Sequence, residues 1–245
     1  MKKKMLFLVF ILFIICSFNL LAINFPDKAS KIETFIPKGW KKLIVKKGDL
    51  NKDKIDDVVL LIQKNDPKNF REAYSPVFAP ANHVDFNPQI ILILFKDTNS
   101  QYNLVAKNDK GFFPSDGIAF ENALETIVDE DSITIKNNTL RIYTFFEGIR
   151  TLSSIEYIFR YQNNRFELIG LETKNTNLSD YMDTIEFSIN FSTKKLIRTN
   201  ETSKIGSDEN TKTEKKEKTI NINKNYILEN MTEKTASEIL EKYGN

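Results

Sequence analysis

Gly48-Asp49-Leu50-Asn51-Lys52-Asp53-Lys54-Ile55-Asp56-Asp57 runs directly into Val58-Val59-Leu60-Leu61-Ile62, an acidic loop followed by an unbroken apolar segment. The apolar run lacks polar alternation, which is the pattern of a strand buried on both faces. Trp40, Leu43 and Val45 lead up to the loop, so the unit reads strand, tight loop, strand. Oxygen-bearing side chains at alternate residues of such a loop can point inward together, and calcium takes about six to eight oxygens. Counting Asp49 as position 1, Asn51 is 3, Asp53 is 5, the Ile55 backbone carbonyl is 7 and Asp57 is 9, while Asp56 points away. The expected metal set is therefore Asp49, Asn51, Asp53, Ile55 and Asp57, with calcium as the cation. Lys54 stands at position 6, where a left-handed residue is wanted and glycine is usual, and Leu60 stands where a helix-loop-helix site places a bidentate Glu. The same residues also suit a metal-free Asp/Asn-rich turn whose acids are neutralised by Lys46, Lys47, Lys52 and Lys54.

Working outward, the signals are those of a mainly β chain. Gln89 to Phe95 is the strongest apolar strand, and the Gln63 to Asn87 interval before it holds Pro67, Pro76 and Pro80 and reads as one long loop. Ile133-Thr134-Ile135 and Leu140-Arg141-Ile142 flank Lys136-Asn137-Asn138-Thr139, and Ile155 to Tyr161 meets Phe166 to Leu171 across Gln162-Asn163-Asn164-Arg165. Both read as hairpins whose turn asparagines tolerate positive φ. Ile185, Phe187, Ile189 and Phe191 alternate as one more strand, and Ile118 to Ile127 reads as a short helix. The fold expected is a β-rich α+β antiparallel meander of roughly eight to ten strands, forming a packed sheet or an open barrel with a short C-terminal helix.

The ends of the chain read differently. Met1-Lys2-Lys3-Lys4 and the apolar run from Met5 to Ile15 form a secretory signal over residues 1–22, with cleavage after Ala22. An uncleaved anchor, or lipidation at Cys16, is the route by which the chain would meet a membrane. The β-rich domain then covers 23–199. Residues 200–219 hold a single apolar residue and read as a disordered linker. Residues 220–245 read as a strand over Ile220, Ile222, Tyr226 and Leu228, then an amphipathic helix opened by the capping box Thr235-Ala236-Ser237-Glu238.

Composition narrows the chemistry. Three of the 35 basic residues lie in the signal, leaving 32 against 33 acidic ones, so no long-range field draws the exported chain to nucleic acid. Its one cysteine, Cys16, leaves with the signal, which removes disulfides and thiolate chemistry. His83 is the single histidine, too few for a zinc site and without a nucleophile elbow for a triad. Glu121, Glu125, Asp129, Glu130, Asp131, Glu147, Glu156 and Glu167 offer carboxylates for glycoside hydrolysis, but acids at such positions are commonly solvated faces and turns. Tyr157, Phe159 and Tyr161 alternate as core-filling aromatics or, facing a cleft, as a platform for sugars.

Ile36-Pro37-Lys38-Gly39-Trp40, the Gly48 to Asp57 loop with its strand, and Tyr157-Ile158-Phe159-Arg160-Tyr161-Gln162-Asn163-Asn164-Arg165-Phe166-Glu167-Leu168-Ile169-Gly170 resemble exported bacterial proteins of unassigned activity that carry a single FG-GAP or VCBS-like calcium loop. The resemblance covers roughly Phe35 to Arg198. It implies that the loop's acidic and amide side chains, here Asp49, Asn51, Asp53 and Asp57, are the calcium ligands, with Lys54 replacing the usual glycine. Taken together, the sequence describes an exported, periplasmic or extracellular, non-enzymatic binding or structural protein, calcium-stabilised, whose partner is an extracytoplasmic protein or glycan. The alternative is a secreted hydrolase acting on an envelope polymer through paired carboxylates.

Overall fold

The computed structural model describes residues 23–73, 82–113, 123–148, 150–179, 181–204 and 211–244. In chain order the strands are β1 (Lys28–Ala29), β2 (Trp40–Gly48), β3 (Asp57–Lys64), β4 (Phe70–Ala73), β5 (Asn82–Asp85), β6 (Gln89–Lys96), β7 (Tyr102–Asn108), β8 (Ala123–Ile127), β9 (Ile133–Lys136), β10 (Thr139–Gly148), β11 (Thr151–Gln162), β12 (Arg165–Leu178), β13 (Tyr181–Asn190), β14 (Lys195–Lys204) and β15 (Lys212–Thr219), followed by helix α1 (Thr235–Tyr243). They form two antiparallel sheets and a small hairpin. The first sheet has the order β1-β7-β6-β3-β2, the second β15-β14-β13-β12-β11-β10-β8 with β9 also on β10, and β4 pairs with β5. Among the described residues the architecture is mainly β, with packed sheets, no closed barrel and one short C-terminal helix.

The apolar runs place the first sheet in the middle of the molecule. Val59, Leu61, Ile91 and Ile93 face the second sheet, where they meet Leu140, Ile142, Tyr157, Phe159, Leu171, Ile189 and Leu196. Val58, Leu60, Ile62, Ile90, Leu92 and Leu94 face the other way, onto Phe35, Ile32, Ile36 and Phe25 of the N-terminal segment. Each fully buried side chain of this size contributes about 1.5–3 kcal/mol, which explains why β3 and β6 lack the alternation of a half-solvated strand. Tyr157 and Phe159 are thus core residues. The hairpin turns form as their asparagines require: Asn137, Asn138, Asn163 and Asn164 all have φ between 53° and 58°.

Tertiary context overrode four local readings. Residues 200–219 are not a disordered linker over their described part: β14 continues to Lys204, and β15 pairs with it from Lys195↔Thr219 to Thr202↔Lys212. A long neighbouring edge satisfies the backbone of a segment that buries little, and its lysines keep the new edge from growing further. Ala123–Ile127 is a strand on β10 rather than part of a helix, and residues 118–122 lie outside the described residues. The Pro-rich interval is not a single loop, since β4 and β5 fold it into a hairpin. Residues 220–230 are not a strand: Ile227 alone bridges to Glu167, and the chain then turns through a 3-10 segment at Leu228–Asn230. The buried Asn108 side chain fixes that turn by donating to the Leu228 carbonyl at 2.6 Å and the Met231 carbonyl at 2.7 Å. Helix α1 also departs from the expected capping box. Thr235 is its first residue, and the Thr235 hydroxyl accepts from the Thr232 amide in the preceding turn.

Candidate functional site

The acidic loop joins the two sheets. Leu50, 1% exposed, enters the main core, and the Asn138 side-chain amide at the β9–β10 turn donates to the Asp49 carbonyl at 2.7 Å. Gly48 allows this approach, because a Cβ there would lie 2.8 Å from Ile135 Cγ2. Within the loop the side chains organise the backbone. Asp49 accepts from the Lys52 and Lys54 amides, Asn51 from the Asp53 amide, and Asp53 from the Ile55 amide. Lys52 and Lys54 take φ of 71° and 68°, so position 6 is left-handed as the loop demands, and a lysine supplies it. That conformation costs a non-glycine residue roughly 1 kcal/mol.

Asp57 has a different place from the one expected of it. It is fully buried beneath the loop, and its two oxygens accept from the Leu50 amide at 2.9 Å and the Lys96 amide at 3.1 Å. It stitches the loop to the end of β6. Burial pushes its carboxyl up to about 6, against the pull of those two amides, and the Asp53 charge adds to the rise. Among the described residues no three His, Cys, Asp or Glu side chains converge as a metal-binding group. What the loop does bring together is Asp49, Asn51 and Asp53, linked by bonds from Asn51 to Asp53 and through the backbone, with the Ile55 carbonyl following.

A second cluster escaped the sequence reading. On the face of the eight-stranded sheet turned away from the core, Tyr143, Glu156, Glu172 and Ser188 stand in one row across β10 to β13. With Ser154, Lys174 and Glu186 they line an open hollow of about 290 Å³. Glu156 pairs with Arg141 at 2.9 Å and Glu186 with Lys174 at 3.0 Å, while Glu172 accepts from the Ser188 hydroxyl at 2.9 Å. Burial, together with the Glu156 and Glu186 charges, holds Glu172 above the usual carboxylate range despite Ser188 and Arg141. Like charges directly opposite each other in a sheet are destabilising. Simple counting back from the Asn163-Asn164 turn puts Glu156 opposite Leu171. The register shifts between Ile158 and Phe159, leaving Ile169 as an extra residue, and this brings Glu172 opposite Glu156 instead. Gly170, next to the extra residue, is the one local signal of that bulge, since a glycine inside a strand often marks one.

Comparison of the chain with family models, curated proteins and solved structures finds no match. The other acids of interest have local tasks. Asp129 caps the short 3-10 turn before β9, and Glu167 clamps the β11–β12 turn by accepting from Gln162, Asn163 and Arg165. Glu147 is exposed near the end of β10. Glu121 lies outside the described residues, Glu125 is on β8, and His83 is on β5, opposite Glu72 in register. No helix among the described residues is long and apolar enough to cross a membrane.

Proposed function

We propose that this chain is an exported, non-enzymatic binding or structural protein in which the 48–57 loop acts as a calcium-responsive joint between two β-sheets. One observation carries this reading: the loop is wired to both sheets at once, through Leu50 and Asp57 on one side and the Asn138–Asp49 bond on the other. A cation on Asp49, Asn51, Asp53 and the Ile55 carbonyl would neutralise the loop's acids and stiffen the joint. Extracellular calcium modules bind at about 0.1–1 mM, and binding to the native state alone raises stability by mass action. The partner belongs outside the cytoplasm, as an envelope or extracellular protein or glycan.

The test is calcium titration of the purified chain by calorimetry and thermal melting. Millimolar calcium should raise the melting temperature, Asp53→Ala should abolish the response, and Lys54→Gly should strengthen it by removing both the left-handed strain and the ammonium. No heat and no shift at several millimolar calcium, or an unchanged response in Asp53→Ala, would overturn the calcium reading. Against peptidoglycan, polysaccharide, ester and phosphoester substrates the chain should show no turnover. Turnover lost on Glu156→Gln or Glu172→Gln would establish the hydrolase instead.

A further inference from the structure

The hollow on the outer sheet face has the makings of a small-ligand site that is independent of the loop. Its charge is unbalanced: three carboxylates, Glu156, Glu172 and Glu186, meet two cations, Arg141 and Lys174, each already committed to one of the outer acids. Glu172 sits between those acids with only the Ser188 hydroxyl bonded to it and, among the described residues, no ion-pair partner. At one end of the row Tyr143 keeps 40% of its surface exposed: it pairs with Glu156 on β11, and on its other side it lies between Ile142, paired with β9, and Phe145, paired with β8. Like charges set opposite each other in a sheet cost stability, and departures of this kind from local rules gather where a molecule has something to bind. A carboxylate with no ion-pair partner suits an ammonium group through a charge-assisted hydrogen bond, and the exposed Tyr143 ring, separated from Glu172 by Glu156 in the same row, offers an aromatic face to the body of the ligand. The volume of about 290 Å³ lies just below the roughly 300–1,000 Å³ of drug-sized sites and is enough for a single ring. The surrounding Ser154 and Ser188 hydroxyls donate and accept, which matches a polyhydroxylated body better than a bare alkyl chain.

We propose that the hollow takes an amino sugar with a free amine, its ring laid on Tyr143, its ammonium group on Glu172 and its hydroxyls on Ser154 and Ser188. The probes are glucosamine, N-acetylglucosamine, glucose and methylammonium, titrated into the full chain while amide resonances are followed. Glucosamine should shift the amides of β11 to β13 around Glu172 at millimolar concentration. Loss of one charge-assisted contact predicts roughly 10-fold weaker binding of glucose and of the acetylated sugar. Glu172→Gln should bring glucosamine down to the level of glucose, and Tyr143→Ala should weaken all three sugars. Because Glu172→Gln also removes the repulsion from Glu156 and Glu186, its melting temperature should be no lower than the parent's, which separates loss of ligand from loss of fold. An equal response to all three sugars would overturn the role of Glu172, and a response to methylammonium matching glucosamine would overturn the sugar. Silence toward every probe at tens of millimolar would overturn the site.

Discussion

Asp57, at the end of the acidic loop, is a fully buried carboxylate. Its position at the loop's end suits a cation ligand, but the fold turns it inward, where two backbone amides take its oxygens. The energetic consequence has a definite sign. The folded-state pKa of about 6 lies above the unfolded value of 3.8, so the native state binds more protons across that interval. Stability contributed by protonated Asp57 is therefore complete below about pH 4 and is lost as pH rises through 6, at up to about 1.4 kcal/mol per pH unit. Asp57→Asn should be less stable overall, because an amide offers only one acceptor to two N–H donors. Its melting temperature should also depend less on pH than the parent's between pH 4 and 6. Parallel curves for the two proteins over that range would remove Asp57 as the titrating group.

At the scale of elements, β15 is the segment whose order depends most on its neighbour. Its backbone is paired along β14, yet its side chains lie outside the core, and Lys195–Glu217 and Lys216–Glu214 are exposed ion pairs that contribute little. By contrast, β12 is central, paired on both edges, and supplies Phe166, Leu168 and Leu171 to the core. Local opening follows that difference in burial. Hydrogen exchange should release the amides of Lys212–Thr219 by local fluctuation long before those of Phe166–Leu171. Trypsin at low concentration should make its first cut among Lys212, Lys215, Lys216 and Lys218. Equal protection in β15 and β12 would show that the whole sheet opens only as a unit.

At the scale of the whole molecule, the C-terminal segment is a structural member rather than a tail. Tyr226, Leu228, Met231, Ala236, Ile239 and Tyr243 belong to the same core as the two sheets, and Asn108 on β7 holds the turn that brings them there. Ending the chain at Thr219 would strip the main core of these side chains and leave Asn108 buried without its acceptors. At about 1.5–3 kcal/mol for each large buried side chain, the summed loss is comparable with the roughly 5–15 kcal/mol by which domains are stable. The truncated chain should therefore lose cooperative thermal unfolding and bind hydrophobic dyes. A sharp melt close to that of the parent would contradict this account.

Patterns of apolar residues along the chain were enough to determine what depends on near neighbours. The β-rich class, the doubly buried β3, the apolar strand β6, the asparagine turns and the left-handed residue at Lys54 all follow from burial period and backbone sterics. Partners distant in sequence were beyond its reach. A charged, apolar-poor segment becomes β15 because β14 presents an unsatisfied edge, and Asp57 turns inward because Lys96, on another strand, offers an amide. Glu172 faces Glu156 because one extra residue at Ile169 shifts the register. In each case the deciding contact is a backbone hydrogen bond or a strand register, and apart from Gly170 beside the bulge these carry no residue-type signature, because every residue has the same backbone to offer.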